Sequence, residues 1–187
     1  MRMAVVLLYT TGLRLGELQR LVLGDVEDDG ALLRVRESKF HKTRLLPLSS
    51  STRAELLAYL VRRAGVGFDT RPTAPLLCTR ARGRMKAYST SGLQCGVNPL
   101  LRDAAASTGQ ARRPRLHDLR HSFGIQALIR WYRQGADVQA QLPKLAMYMG
   151  HASIESTAYY LRWTDEIAAL ASDRFAQHFA ATIGGRS

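Results

Sequence analysis

The segment that decides the fold reads HDLRHSFG at residues 117–124 and opens a predicted helix over 117–133. On a helical wheel, His117, Arg120 and His121 share one face, and apolar side chains cover much of the remaining surface. This pattern predicts a largely buried helix. The N-terminus of a helix favours an anion, and an arginine fork beside an imidazole can hold a phosphate. A phosphate site is therefore predicted at the start of this helix.

Two alternatives are open for the histidines of this segment. His117 and His121 are four residues apart and could be two metal ligands. However, the chain lacks the glutamate of an H-E-x-x-H motif and an obvious third ligand. A histidine at this position could also simply cap its own helix.

A second motif reads TGLRLGEL at residues 11–18. Arg14 follows a Thr-Gly turn that ends a predicted helix over 1–9, and a short second helix is predicted over 16–23. Glu17 lies three residues after Arg14, so its carboxylate can orient the guanidinium. An ordinary helix salt bridge is the alternative interpretation.

A β-hairpin is predicted next, with strands at 31–37 and 43–48. The connection between them is strongly basic and places Lys39 at the tip. A lysine there can reach into a groove and protonate a leaving oxygen. Lys42 and Arg44 are alternatives for that role, and any of the three could instead be a plain contact to a DNA backbone phosphate.

The other predicted elements are mostly helical. One helix is predicted to follow a cap at Ser51 or Thr52. Its apolar stripe consists of Leu56, Leu57, Leu60 and Val61. The remaining elements are a loop-rich segment at 65–88 with a short strand at 76–79, and helices at 89–107, 142–149 and 165–182.

The chain is strongly basic, with a formal charge of +12 from 27 Lys and Arg against 15 Asp and Glu. Such an excess is typical of a polyanion binder, and nucleic acid is the expected partner, although ribosomal and merely basic soluble proteins share it. The basic loop predicted to carry Arg80, Arg82, Arg84 and Lys86 is either a phosphate contact or a solvated surface. The predicted DNA contacts are Lys42, Arg44, Arg80, Arg82, Arg84, Lys86, Arg112, Arg113 and Arg115.

The cysteines and the apolar segments indicate in which cellular compartment the chain is expected. Cys78 and Cys95 are isolated, which suits a reducing compartment and argues against a zinc module or a disulfide scaffold. The apolar run at 3–9 is short for a signal peptide and leads to no small-residue cleavage site, so a buried first helix is predicted. No stretch is long enough to span a membrane.

Two late tyrosines, Tyr159 and Tyr160, follow the sequence Met-Gly-His at 149–151. A tyrosine can be a covalent nucleophile if nearby cations stabilise its phenolate. Neighbouring helix residues are rotated by about 100°, so only one of the two can face a phosphate, and periodicity does not choose between them. Two arginines, the histidines and a tyrosine are the parts needed to attack a phosphodiester without a metal.

The motifs TGLRLGEL, SKFHKTRLLPL, HDLRHSFG and MGH, followed by a tyrosine, together resemble the catalytic domain of the tyrosine recombinases, the phage-integrase family. The resemblance covers about residues 7–162. It implies an α+β fold that is mainly α-helical, with a small antiparallel β-sheet. It also implies a catalytic, DNA-binding domain at 1–162 and a C-terminal helix at 163–187. The N-terminal helical domain that usually closes around DNA in this family is not found, so a fragment or a truncated paralogue is expected.

The resemblance also implies roles for individual residues. Arg14 and Arg120, with the residue at the His-or-Trp position, would surround the scissile phosphate, and Glu17 would be the acidic partner of Arg14. Tyr160, nine residues after the Met-Gly-His sequence, would attack phosphorus and form a 3′-phosphotyrosyl intermediate. The implied catalytic set is Arg14, Lys39, His117, Arg120, His151 and Tyr160. Phe40 and His41 depart from the small residues that relatives carry after the hairpin lysine. No metal, ATP or other cofactor is implied.

The resemblance further implies double-stranded DNA as the partner and a tetramer assembled on DNA. The C-terminal helix would dock into a neighbouring protomer through an apolar face, although it could also fold back on its own core. That face consists of Ile167, Leu170, Ala171, Phe175 and Phe179. A cytoplasmic, nucleoid-associated bacterial protein with no membrane contact is expected.

Three other functions are kept as alternatives. A type IB topoisomerase-like enzyme uses similar residues and relaxes DNA as a single protomer. A DNA-binding module that has lost catalysis is a second alternative. A metal-dependent nuclease is the third, and it would lose activity in EDTA.

Overall fold

The computed structural model describes residues 1–36, 43–81, 83–107 and 114–150. The chain divides into two compact units, Met1–His121 and Ser122–Ser187. Within the described residues the helices are α1 (Arg2–Thr11), α2 (Leu15–Arg20), α3 (Ser50–Gly65), α4 (Thr90–Ser107), α5 (Leu116–Arg133) and α6 (Val138–Met149). The strands are β1 (Val26–Glu27), β2 (Leu32–Val35), β3 (Arg44–Pro47), β4 (Cys78–Ala81) and β5 (Arg84–Ala87). The predicted fold class, mainly helical with small antiparallel sheets, is confirmed.

The first helix ends as predicted at Gly12. This glycine adopts the left-handed conformation with φ of 62°, which residues with a Cβ rarely adopt, and its N–H bonds to the carbonyl of Leu8. Met3, Leu7 and Leu8 are buried along α1, so the apolar run is a core helix.

The predicted hairpin is confirmed as β2 and β3, which pair in an antiparallel register with Val35 opposite Arg44. Leu33, Val35 and Leu46 are buried, which accounts for the alternation in the sequence. The structure adds β1 on the other side of β2. This two-residue strand was missed because it lies among turn-forming residues and is too short to show a period.

The predicted cap and stripe of α3 are partly wrong. Ser49 is the cap, since its Oγ accepts a hydrogen bond from the N–H of Thr52 at 3.2 Å. Leu56 is fully buried, but Val61 is 73% exposed. The inward face of α3 runs through Thr52, Leu56 and Arg63, at helical spacings of four and seven, and this face turns Val61 towards solvent.

Residues 78–87 form a second hairpin, β4 and β5, where a basic loop was predicted. The turn between the strands contains Gly83, whose φ of 76° suits a tight connection. The register places Arg84 and Lys86 on one face and Arg80 with Met85 on the other. Arg80 therefore does not share a surface with Arg84 and Lys86.

The helices α4 and α5 confirm the predicted elements at 89–107 and 117–133. In the second unit, α6 begins four residues earlier than predicted because Asp137 caps it, accepting a hydrogen bond from the N–H of Ala140 at 3.2 Å. It ends at Gly150 as predicted. The core of this unit includes Leu128, Leu142 and Met149. The predicted helix at 165–182 lies outside the described residues.

Candidate active site

The start of α5 carries the first part of the candidate site. The carboxylate of Asp118 accepts a hydrogen bond from the N–H of Arg115 at 2.8 Å and so closes the first turn of the helix. This places His117 and Arg120 on consecutive turns. The capping contact at this end of the helix is made by Asp118, so the capping alternative for His117 is not needed to explain the helix start.

Arg120 is buried, at 2% exposure, and its Nη1 donates a hydrogen bond to the carbonyl of Gly12. A buried guanidinium requires acceptors, and the turn after α1 supplies one. The two residues are 108 positions apart in sequence. This contact joins the H-x-x-R segment to the turn that leads into Arg14.

Glu17 holds Arg14 from the first turn of α2. Its Oε2 accepts the N–H of Arg14 at 2.9 Å, and its Oε1 accepts from Nη1 of the same residue at 3.0 Å. The carboxylate side chain is 2% exposed, whereas that of Arg14 is 29% exposed. Arg14 is thus held by a buried anion and remains partly exposed.

A second guanidinium binds the same carboxylate. Nη1 and Nη2 of Arg44 donate to Oε1 and Oε2 of Glu17 at 3.0 and 2.9 Å. Burial by itself raises the pKa of Glu17, but the hydrogen bonds from Arg44 and from the Arg14 N–H, with the two positive charges, hold that pKa below its ordinary value. Glu17 is therefore ionised. The pair of Arg44 and Glu17 was not predicted from the sequence, although the position of Arg44 opposite the inward-facing Val35 was a usable signal.

The imidazoles of His117 and His121 meet edge to face, with ring centroids 4.5 Å apart. Partial burial lowers the pKa of His117, and the charges of His121 and Arg120, with a smaller contribution from Arg14, lower it further. The ring is therefore neutral near pH 7 and can accept a proton. In the part of the chain that the structure describes, no group of three or more His, Cys, Asp or Glu residues could hold a metal ion.

His117 and Arg120 border a cleft of about 400 Å³ in the first unit. Its lining includes Leu13, Gln94, Asn98, Arg115, His117 and Arg120. A neutral imidazole beside a buried arginine, with a second basic residue at the same opening, can bind an anion and exchange a proton with it.

A family model described as "Phage integrase family" matches residues 1–166. The chain belongs to the phage integrase family. "Putative integrase/recombinase y4rE" of Sinorhizobium fredii is 39% identical over 168 residues, covering 90% of this chain and 52% of that protein. "Tyrosine recombinase XerA" of Pyrococcus furiosus is 31% identical over 163 residues, covering 87% of this chain and 50% of that protein. This integrase-family chain thus spans about half the length of these two relatives.

Solved structures show the same fold. The crystal structure of XerA recombinase superposes with a TM-score of 0.67 at 26% identity, covering 92% of this chain and 54% of that one. The XerH site-specific recombinase bound to palindromic difH substrate superposes with a TM-score of 0.66 at 19% identity, covering 94% and 45%.

The other basic residues predicted for this integrase-family chain differ in their surroundings. Arg84, Lys86 and Arg115 are exposed. Arg80 is exposed too, but its guanidinium lies over the ring of Phe68, 5.5 Å from the centroid. The predicted site residues outside the described ranges are Lys39, Lys42, Arg82, Arg112, Arg113, His151, Tyr159 and Tyr160. None of the helices within the described ranges has the length and apolar character to cross a membrane.

Proposed function

We propose that this chain is the catalytic, DNA-binding part of a tyrosine site-specific recombinase, which cuts and rejoins DNA strands without a metal. The observation that carries the proposal is the contact between Arg120 and the Gly12 carbonyl. It brings the H-x-x-R segment, with its neutral His117, to the turn that presents Arg14. The family membership and the XerA and XerH likenesses support the same activity.

The proposed cleavage step forms one bond and breaks another. Tyr160, whose ordinary pKa is about 10, attacks the scissile phosphorus through its phenolic oxygen. His117 takes the phenolic proton, since its lowered pKa keeps the ring neutral. The bond from phosphorus to the 5′-oxygen breaks, and Lys39 supplies the proton to that oxygen.

The guanidinium groups of Arg14 and Arg120, with His151, neutralise the charge that develops on the phosphate oxygens. A 5′-hydroxyl from a partner strand then attacks the 3′-phosphotyrosyl bond, restores the phosphodiester and releases Tyr160. The energy of the broken bond is kept in the covalent intermediate, so the step needs no ATP. The reaction joins strands from two DNA sites, as in integration, excision or transposition.

Double-stranded DNA is the proposed substrate, and the exposed Arg84, Lys86 and Arg115 are proposed phosphate contacts. Lys42, Arg82, Arg112 and Arg113 are proposed to extend that surface. We further propose assembly of a tetramer on DNA through the segment 163–187, and a nucleoid-associated location in the cytoplasm.

The proposal is tested by trapping a covalent protein–DNA adduct on nicked duplexes in the presence of EDTA. The duplexes are drawn from the ends of the genetic element that encodes the chain. The wild type, Tyr160→Phe and Tyr159→Phe are compared. An adduct that is lost only in Tyr160→Phe supports the proposal, and loss only in Tyr159→Phe moves the nucleophile by one residue.

Three other results would contradict the proposal. An adduct or nick that disappears in EDTA would indicate a metal-dependent nuclease. DNA binding without any adduct would indicate a binding module. Relaxation of supercoiled plasmid without a recombinant product would favour the topoisomerase-like alternative.

A further inference from the structure

Two arginines bind the carboxylate of Glu17 with different hydrogen-bond geometries. Arg14 binds it with one terminal nitrogen and its own N–H, whereas Arg44 places both terminal nitrogens on the two carboxylate oxygens. The side chain of Arg44 is 11% exposed and that of Arg14 is 29% exposed. The guanidinium fork of Arg44 thus faces a protein anion.

Arg44 also lies next to the segment that connects β2 and β3. Arg44 begins β3, just after the segment 37–42 that carries Lys39. On the other side of that segment, Arg36 forms an ion pair with the buried Asp25, with Nε and Oδ1 2.5 Å apart. Both ends of the hairpin connection are therefore held by carboxylates of the first unit, and one of these carboxylates also holds Arg14.

We infer that Arg44 is a positioning residue for DNA cleavage, which aligns Arg14 through Glu17 and ties the strand after the Lys39 segment to the same carboxylate. The inference rests on the proposed function. Arg44 would then be neither the DNA phosphate contact nor the proton donor that its sequence position allows.

The physical basis is the cost of a buried carboxylate. An ion taken out of water is tolerated when it is paired and hydrogen-bonded, and a bidentate arginine does both. Without Arg44, Glu17 would keep only Arg14 among the partners that the described residues supply, and Arg14 would lose the fixed anchor that sets its direction. Misplacing a catalytic group by about 1 Å can reduce a rate by about 100-fold.

The contact between Arg44 and Glu17 also predicts how the cleavage rate depends on pH. Within the described residues, the charged groups on Glu17 are Arg14 from the turn before α2 and Arg44 from β3. Both guanidiniums stay protonated at working pH, so Glu17 is the group of this cluster that titrates. In Arg44→Met, burial raises the pKa of Glu17, and the cleavage rate falls as the pH decreases through that raised pKa.

The experiment measures single-turnover adduct formation at saturating protein across pH, and the DNA dissociation constant across salt. The variants are Arg44→Lys, Arg44→Met, Glu17→Gln and the double variant Glu17→Gln/Arg44→Met. Arg34→Met is the matched control, because Arg34 pairs with Glu27 on the neighbouring strands and not with Glu17. The double variant removes the buried charge together with its partner and so avoids an unfolded protein.

We expect Arg44→Met to cleave about 10- to 100-fold more slowly than the wild type, with an unchanged dissociation constant and salt dependence. Its rate falls at a higher pH than that of the wild type. This shift to higher pH is absent from the double variant, whose rate resembles that of Arg44→Met instead of combining both losses. Arg44→Lys keeps the positive charge but lacks the two terminal nitrogens of the guanidinium, so we expect a cleavage rate between those of the wild type and Arg44→Met.

Three results would overturn the inference. Wild-type cleavage by Arg44→Met, with weaker binding and a salt slope reduced by about 1, would make Arg44 a phosphate contact. Fully multiplicative losses in the double variant would mean that the two residues act independently. Equal slowing by Arg34→Met would indicate a general defect of the sheet. A wild-type protein that forms no adduct would instead overturn the proposed function itself.

Discussion

Arg63 and Arg120 are almost equally buried, at 3% and 2% exposure, yet their neighbours differ. Arg63, near the end of α3, donates to the carbonyls of Asp69 and Pro75 and reaches the sulfur of Met85. These acceptors belong to a loop and a hairpin, so Arg63 holds the segment between α3 and β4 in place.

Arg120 has a different environment. It donates to the Gly12 carbonyl, two residues before Arg14, and borders the same cleft as His117 and Arg115. Burial of a guanidinium is therefore not in itself a sign of catalysis. What distinguishes the candidate catalytic arginine is a neutral imidazole and an open cleft beside it.

The largest difference between the two arginines should appear in cleavage. Arg120→Lys keeps a positive charge and a donor but loses the planar fork. We expect adduct formation to slow by about 10²- to 10³-fold, the typical loss of one donor to a developing oxyanion. Single-turnover trapping measures this rate. Arg63→Lys is the matched control, and a comparable slowing in that variant would remove the distinction.

For the free energy of unfolding, we expect a large effect from replacing Arg63. Arg63→Met leaves the carbonyls of Asp69 and Pro75 without their donor, and an unsatisfied buried group costs about 1–3 kcal/mol. We expect a loss of about 2–4 kcal/mol in the free energy of unfolding, measured by urea denaturation. The exposed neighbour Arg62 provides the control, since Arg62→Met should leave stability unchanged.

The hairpin of β4 and β5 carries two exposed arginines with different neighbours, and we expect a smaller difference between them, in DNA binding. Arg84 shares an exposed face with Lys86, whereas Arg80 lies over Phe68 and donates to the carbonyl of Gly67. We expect Arg84→Ala to lower the salt slope of DNA binding by about 1, and Arg80→Ala to change it less. Equal slopes in both variants would mean that the contact with Phe68 does not restrict Arg80.

The smallest expected effect concerns the histidine pair. Because the folded pKa of His117 lies below its unfolded value, the stability contribution of this ring is full above the unfolded pKa and is lost as the pH falls through the folded pKa. His121→Gln removes one of the charges that lower this pKa, so we expect the pKa of His117 to rise. NMR titration of the ring measures this pKa, and an unchanged value would show that His121 does not contribute to the shift, which burial and the arginines would then account for.

Local features were predictable because they depend on neighbours in the sequence. Arg14 and Glu17 are three residues apart, so helix geometry brings them together whatever surrounds them. The hairpin of β2 and β3 followed from alternating apolar residues. The second hairpin was missed because the basic residues at 80, 82, 84 and 86 in the sequence also suit a loop.

By itself, the sequence determined the family, the order of the motifs and the identity of the candidate catalytic residues. The tertiary structure alone decided which arginine meets which acceptor. Arg44 reaches Glu17 across 27 residues and Arg120 reaches Gly12 across 108. A buried guanidinium binds whichever acceptor the packing of distant segments brings within hydrogen-bond distance, and no local period in the sequence encodes that distance.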